Sequence, residues 1–292
     1  MKKTGALHSP CFKETKRYVR AVFFTAIMLP ATGNSESQPS HEAGQAPHWG
    51  YAGSNGPDHW ADMAGEFALC GSGKRQSPVN IHDAQSQALY PLDFQYQPVA
   101  LQVLNNGHTL QANYNTVSGD TTIAIGGKPY PLKSRPVYES TLMVGDVPYS
   151  LLQFHFHSPS EHAHDGRRFP MEVHLVHKNA NGNLAVVGIF LKPGQQNPVL
   201  QKLLEYVPST LNTVSNKTGI TINAADLLPG NRKMFHYGGS LTTPPCSENV
   251  NWFVMKNPIE VSDEQVRKFT QLIGNNARPL QQAYWRNMLV SE

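Results

Sequence analysis

The 292-residue chain has little of several things, and each shortage narrows what it can be. Charged residues are only 15% of the total and the net charge is +3. No Arg/Lys patch with interleaved aromatics occurs, so nothing marks a nucleic-acid surface. No glycine-rich phosphate loop occurs either, so no nucleotide cradle is marked. The apolar run 21–30, "AVFFTAIMLP", is about ten residues long and falls short of the ~20 that span a bilayer. From Pro47 onward there is no composition break, internal repeat or low-complexity tract, which leaves one domain over 47–292. Cysteines number only three, Cys11, Cys70 and Cys246.

What is present begins with the N-terminus. Lys2, Lys3, Lys13, Lys16, Arg17 and Arg20 precede the apolar run, and small residues follow around Ala31 and Gly33. That order reads as a secretory signal peptide over 1–33; a membrane anchor is the alternative and is too short. Residues 34–46 are polar and read as a disordered linker. Cleavage would remove much of the positive charge and Cys11, leaving no membrane partner and a domain exported to the periplasm or secreted. The remaining Cys70 and Cys246 would pair in an oxidising compartment, two buried free thiols being the alternative.

Strands dominate the domain. "LQVLNNGHTLQANY" (101–114) reads as two strands about an Asn-Gly turn, and "TTIAIGGKPYPLKSRPVY" repeats this around Gly126 and Gly127. "YSLLQFHFHS", "MEVHLVHKN", "LAVVGIFLK" and "VNWFVMKNPI" are strand-like as well. Two helices are marked: one capped by Asn197 with Pro198 at its first position, one with a Ser262/Gln265 capping box and a stop at Gly274. With 22 prolines and 23 glycines, loops are extensive. The fold class expected is mainly β, a large central twisted, mostly antiparallel sheet with short peripheral helices.

The chemistry lies in "QFHFH" (153–157). Side chains alternate along a strand, so Phe154 and Phe156 face one way and Gln153, His155 and His157 the other. The next strand puts Glu172, His174 and Val176 on one face, and a turn between the two lets them pair antiparallel. His155, His157 and His174 can then converge on one ion. Three neutral imidazoles leave a divalent cation its full charge and one open position, which suits acidifying a bound water near neutral pH. Gln153 and Glu172, each two residues before a ligand, can accept the ligand's second ring N–H. His162, His164 and His177 read as structural or solvent-facing, as do His41, His48, His59 and His82.

The motifs then carry a resemblance. "HWGY" (48–51), "NGPDHW" (55–60), "RQSPVNI" (75–81), "NNGH" (105–108), "QFHFH", "SEH" (160–162), "EVHLVH" (172–177), "GIFLK" (188–192), "GSLTTPP" (239–245) and "ARPLQ" (277–281) together resemble the α-class carbonic anhydrases, exported bacterial type. The resemblance implies a sheet of about ten strands and a zinc ion at the base of a cone-shaped cleft. The implied activity is reversible hydration of carbon dioxide to bicarbonate and a proton, through attack of zinc-bound hydroxide.

By the same likeness, His155, His157 and His174 match the zinc ligands. Thr242 matches the threonine whose hydroxyl donates to a glutamate, here Glu161. Val176, Val186, Leu241, Val250 and Trp252 match the apolar wall for carbon dioxide, with Thr243 a neighbouring polar contact. His108 matches the proton shuttle, and Tyr51, Asn106 and Gln111 match residues that order its water chain. Gln111 departs from the asparagine often found there. Cys70 and Cys246 match the disulfide of exported members. A non-catalytic binding module on this fold would typically have lost zinc ligands, and all three remain. Weak esterase activity is implied as a side reaction, with no acyl pocket to make it the main one. A homodimer is possible; the oligomeric state is left open.

Overall fold

A computed structural model of the chain describes residues 47–114, 121–125, 128–132 and 140–292. The signal peptide and linker expected over 1–46, and the Gly126-Gly127 turn, lie outside the described residues. Among the described residues no helix is long and apolar enough to cross a membrane.

Sixteen strands among the described residues are named in chain order. The first eight are β1 (Asn80–Ile81), β2 (Gln85–Gln87), β3 (Leu92–Gln95), β4 (Val99–Asn105), β5 (Leu110–Asn113), β6 (Thr121–Ile125), β7 (Lys128–Leu132) and β8 (Thr141–Val144). The others are β9 (Val147–His157), β10 (Ala163–His164), β11 (Met171–Lys178), β12 (Leu184–Pro193), β13 (Val214–Ile222), β14 (Met234–Ser240), β15 (Glu248–Val261) and β16 (Leu289–Ser291). Twelve form one sheet, in the order β13-β4-β5-β9-β11-β12-β15-β14-β16-β2, with β8 joined to β9 and β3 to β8. The expected mainly-β class is what the chain adopts. The sheet is mixed, since β12–β15 and β16–β2 run parallel while its other pairs are antiparallel.

The sheet separates two environments. Phe154, Phe156, Val173 and Leu175 are fully buried on the face that packs against the helices Pro198–Tyr206 and Asp263–Ile273, through Val199, Leu200, Leu203 and Phe269. Each such side chain contributes roughly 1.5–3 kcal/mol by leaving water. The helices begin where the sequence says. Asn197 accepts from the N–H groups of Val199 and Leu200, and Ser262 and Gln265 form a reciprocal capping box. The opposite face carries the imidazoles and a second core around Trp252, Val186, Val250 and Tyr237.

Two turns aim functional groups. Between β4 and β5, Gly107 has φ 82°, and Asn106 Oδ1 accepts from the N–H groups of His108 and Thr109, both at 2.9 Å. After β14, the loop 241–247 is pinned by Leu241 N–H to Ser247 O (3.0 Å) and by the Cys70–Cys246 disulfide. Gln76 Nε2 donates to Cys246 O at 3.0 Å and steadies the same loop.

Candidate metal centre and its cavity

In the β9–β11 ladder His155 lies directly opposite His174, and His157 opposite Glu172. The antiparallel register therefore sets a third imidazole against the alternating pair. One ring nitrogen of each of His155, His157 and His174 lies within 4.8 Å of the others. The ring centroids are 4.6 to 5.4 Å apart.

Each ring is turned by a bond to its other nitrogen. His155 Nδ1–H donates to Gln153 Oε1 (2.8 Å), His157 Nδ1–H to Asn276 O (2.8 Å) and His174 Nε2–H to Glu172 Oε1 (2.9 Å). The nitrogens left facing inward are His155 Nε2, His157 Nε2 and His174 Nδ1. Burial, then the neighbouring imidazoles, holds His155 well below the ordinary histidine pKa; burial also lowers His157, against the pull of Glu161. Neutral rings present lone pairs, as metal ligands must.

Beneath them sits Glu161, fully buried. Its Oε1 accepts from Arg278 N–H at 2.9 Å. Its Oε2 has no hydrogen-bond partner and lies 3.4 Å from His157 Nε2 and 3.8 Å from His174 Nδ1. His157 Nε2 is likewise buried without a partner. A carboxylate oxygen facing imidazole lone pairs in a buried site is costly unless a cation lies among them. The donor set, three nitrogens with room for a fourth ligand, fits zinc.

The imidazoles form the floor of a cavity of about 240 Å³. Val176, Val186, Leu241 and Trp252 supply its apolar lining, and Thr242, Thr243, Gln111, Asn106, Tyr51 and His108 line it too. Val250 is not among the lining residues; it is buried beside them, clustered with Val186 and Trp252 and paired with Leu184. His108 is half-buried and stacks on Trp49, with ring centroids 3.8 Å apart. Asn106 Nδ2 and Gln111 Oε1 are buried without protein partners, a donor and an acceptor on the cavity wall. The Thr242 to Glu161 hydrogen bond implied by the resemblance is not formed in this structure, since Glu161 Oε2 accepts none.

Several supporting residues were not legible as such. His162 is fully buried behind Glu172. Its backbone N–H donates to Glu172 Oε2 (2.8 Å) and its Nδ1–H to Glu172 Oε1 (2.7 Å). Burial alone would raise the Glu172 pKa, but the two imidazoles bonded to it hold it well below the carboxylate range. Tyr237, kept protonated by burial, donates to His162 Nε2 at 2.6 Å, and Ser77 Oγ lies 2.8 Å from Tyr237 Oη. Gly188 faces His174 across the next ladder, where a Cβ would come within 2.8 Å of Glu172 Oε1. Arg278, buried, gives Nη1 to Gln76 Oε1 and Ser77 O and Nη2 to Cys70 O, tying the Glu161 contact to the disulfide. Burial lowers its pKa to about 10.

The fold and this site define a β protein with a small, partly apolar cavity whose floor is a histidine triad that could hold a metal ion. The family model for eukaryotic-type carbonic anhydrases matches residues 55–291. A carbonic anhydrase of a Nostoc species is 42% identical over 239 residues, 80% of this chain and 82% of that protein. The carbonic anhydrase of Pectobacterium atrosepticum is 37% identical over 265 residues, 90% of this chain and 96% of that protein. A hyperthermostable carbonic anhydrase identified from a hydrothermal vent chimney superposes with a TM-score of 0.74 at 37% identity, over 84% of this chain and 100% of that one. The chain belongs to the eukaryotic-type, or α, carbonic anhydrase family. It is an enzyme of the kind that hydrates carbon dioxide, and the family is in general zinc-dependent.

Proposed function

We propose that the chain holds zinc through His155 Nε2, His157 Nε2 and His174 Nδ1 and uses it to interconvert carbon dioxide and bicarbonate. The observation that carries this is the floor of the cavity: three inward imidazole nitrogens within 4.8 Å, facing an unpartnered buried carboxylate oxygen. Zinc, when bound, supplies an acidified water at neutral pH, an effect for which carbonic anhydrase is itself the reference case.

The chain's own residues do the rest. Val176, Val186, Leu241 and Trp252 hold a substrate that carries no charge and accepts hydrogen bonds weakly. With the metal in place, the unpartnered oxygen of Glu161 accepts a hydrogen bond from the Thr242 hydroxyl. The Thr242 oxygen can then only accept, so it orients the attacking oxygen with a lone pair toward the substrate carbon. Thr243 adds a polar contact. His108 takes the released proton to solvent, because imidazole is the side chain that titrates near neutrality. Tyr51, Asn106 and Gln111 order the intervening waters. Hydrolysis of small activated esters is a weak side reaction of the same nucleophile.

The reading extends to location. Residues 1–33 act as an export signal and 34–46 as a linker to the catalytic domain over 47–292. The Cys70–Cys246 disulfide supports an oxidising compartment, periplasmic or extracellular. Zinc content and stopped-flow carbon dioxide hydration, measured on wild type and His174→Ala, test the central claim. The variant should lose metal and activity together, and a metal-free His174→Ala with full hydration activity would sink it.

A further inference from the structure

His174, Val176 and Lys178 follow one another at two-residue steps on β11, so they stand on one face of the strand. All three line the cavity. His174 is buried, Val176 half-buried and Lys178 exposed, so the face climbs from the metal floor past the apolar wall to a cation at the mouth. Across the ladder, Leu184 pairs with Lys178 and Val186 with Val176, which backs the ammonium with apolar side chains. Among the described residues lining the cavity, Lys178 alone carries a permanent charge; the others are histidines, neutral polar groups or apolar groups. It makes no ion pair with any described carboxylate.

We infer that Lys178 sets the anion preference of this site: it draws small monovalent anions, bicarbonate among them, to the metal centre. The inference rests on the reading of the cavity as a zinc site for carbon dioxide and bicarbonate. One partner of that reaction is neutral and the other carries one negative charge, so a cation at the mouth acts on one side only. The solution equilibrium between the two is fixed, so Lys178 cannot favour one direction in kcat/KM. Its signature is the KM for bicarbonate and the Kd of other monovalent anions.

The size of the effect follows from distance. Four strand residues span about 13 Å between the Cα atoms of His174 and Lys178. With the ammonium roughly 10 Å from a bound anion and water between, removing the charge weakens binding about two-fold and reversing it about four-fold. Both effects fade at ~1 M salt, where the screening length is ~3 Å.

The experiment uses the full chain loaded with cobalt in place of zinc and titrated with thiocyanate, read by visible absorption. Wild type, Lys178→Arg, Lys178→Gln and Lys178→Glu are compared at low and high ionic strength. Arg should match wild type, Gln and Glu should bind about two-fold and four-fold more weakly at low salt, and all four should converge at high salt. Equal Kd values for wild type and Lys178→Glu at low salt would overturn the inference, as would a difference that persists at high salt. A cobalt-loaded chain that shows this charge and salt dependence yet hydrates no carbon dioxide would overturn the functional reading and leave the role of Lys178 standing.

Discussion

His177 gives the domain an acid-sensitive component of stability whose size can be worked out. The ring is fully buried. Its Nδ1–H donates to Ala185 O at 3.1 Å, and its Nε2 accepts from Tyr96 O–H at 2.7 Å. Burial lowers its pKa from the ordinary 6.5 to about 4, against a smaller pull from the carbonyls of Ala185 and Leu175. The folded value lies below the unfolded one, so in the window between them the unfolded chain binds more protons. This stability is complete above pH 6.5 and is lost as pH falls toward 4; below that both states are protonated and nothing more is lost. At 1.36 kcal/mol per pH unit, the interval from 6.5 to about 4 is worth about 3 kcal/mol. His177→Gln keeps a donor for Ala185 O and an acceptor for Tyr96 but has no proton to gain. Urea unfolding of both proteins, in the same metal state, at pH 7 and pH 4 should show wild type losing about 3 kcal/mol more than the variant. Groups common to the two proteins cancel in the comparison. Parallel pH dependences would refute the reasoning, because they would mean that the buried ring already carries its proton or that the acid sensitivity lies elsewhere.

Two further outcomes follow from the groups around the metal centre. Tyr237→Phe removes only the O–H that donates to His162 Nε2, leaving His162 and Glu172 less well fixed behind His174. Zinc transfer to a chelator should speed up about ten-fold, at the lower end of effects seen for outer partners of metal ligands, with the fold intact by circular dichroism. An unchanged rate would show that Glu172 keeps its place without Tyr237. His108→Ala should slow carbon dioxide hydration in dilute buffer and recover with added imidazole, whereas an unchanged rate in dilute buffer would move the proton-transfer role to another group.

Much of the site was legible because it is periodic. Imidazoles at alternate positions of "QFHFH", with phenylalanines between them, can only mean one face for the core and one for something polar. The register that sets His174 opposite His155 follows from the same alternation on the neighbouring strand. Local pattern says nothing, however, about partners brought in from far along the chain. The carbonyl that orients His157 belongs to Asn276, 119 residues away, in a loop with no periodicity. Arg278 looks like a surface residue near the C-terminus until its guanidinium is found between Gln76, Ser77 and Cys70. The strand Val214–Ile222 went unmarked because it is an exposed edge strand with few apolar residues to alternate. Val250 matches the wall by likeness, yet it is buried beside the lining residues, paired with Leu184, and does not itself line the cavity.

His162 shows why the polar interior is the hardest part to read. On the sequence it is one histidine among several in a turn rich in polar residues. In the fold it fills both oxygens of Glu172, the group that aims His174 at the metal position. A buried carboxylate is tolerated only when its lone pairs are used, and Glu172 uses them on two imidazoles and one backbone N–H. Glu161, by contrast, keeps one oxygen unused at the cavity floor. Of the two buried glutamates, Glu172 thus accepts three hydrogen bonds and Glu161 one. The satisfied one fixes His174, and the unsatisfied one leaves an oxygen free on the cavity floor, where in the proposed mechanism it accepts from Thr242.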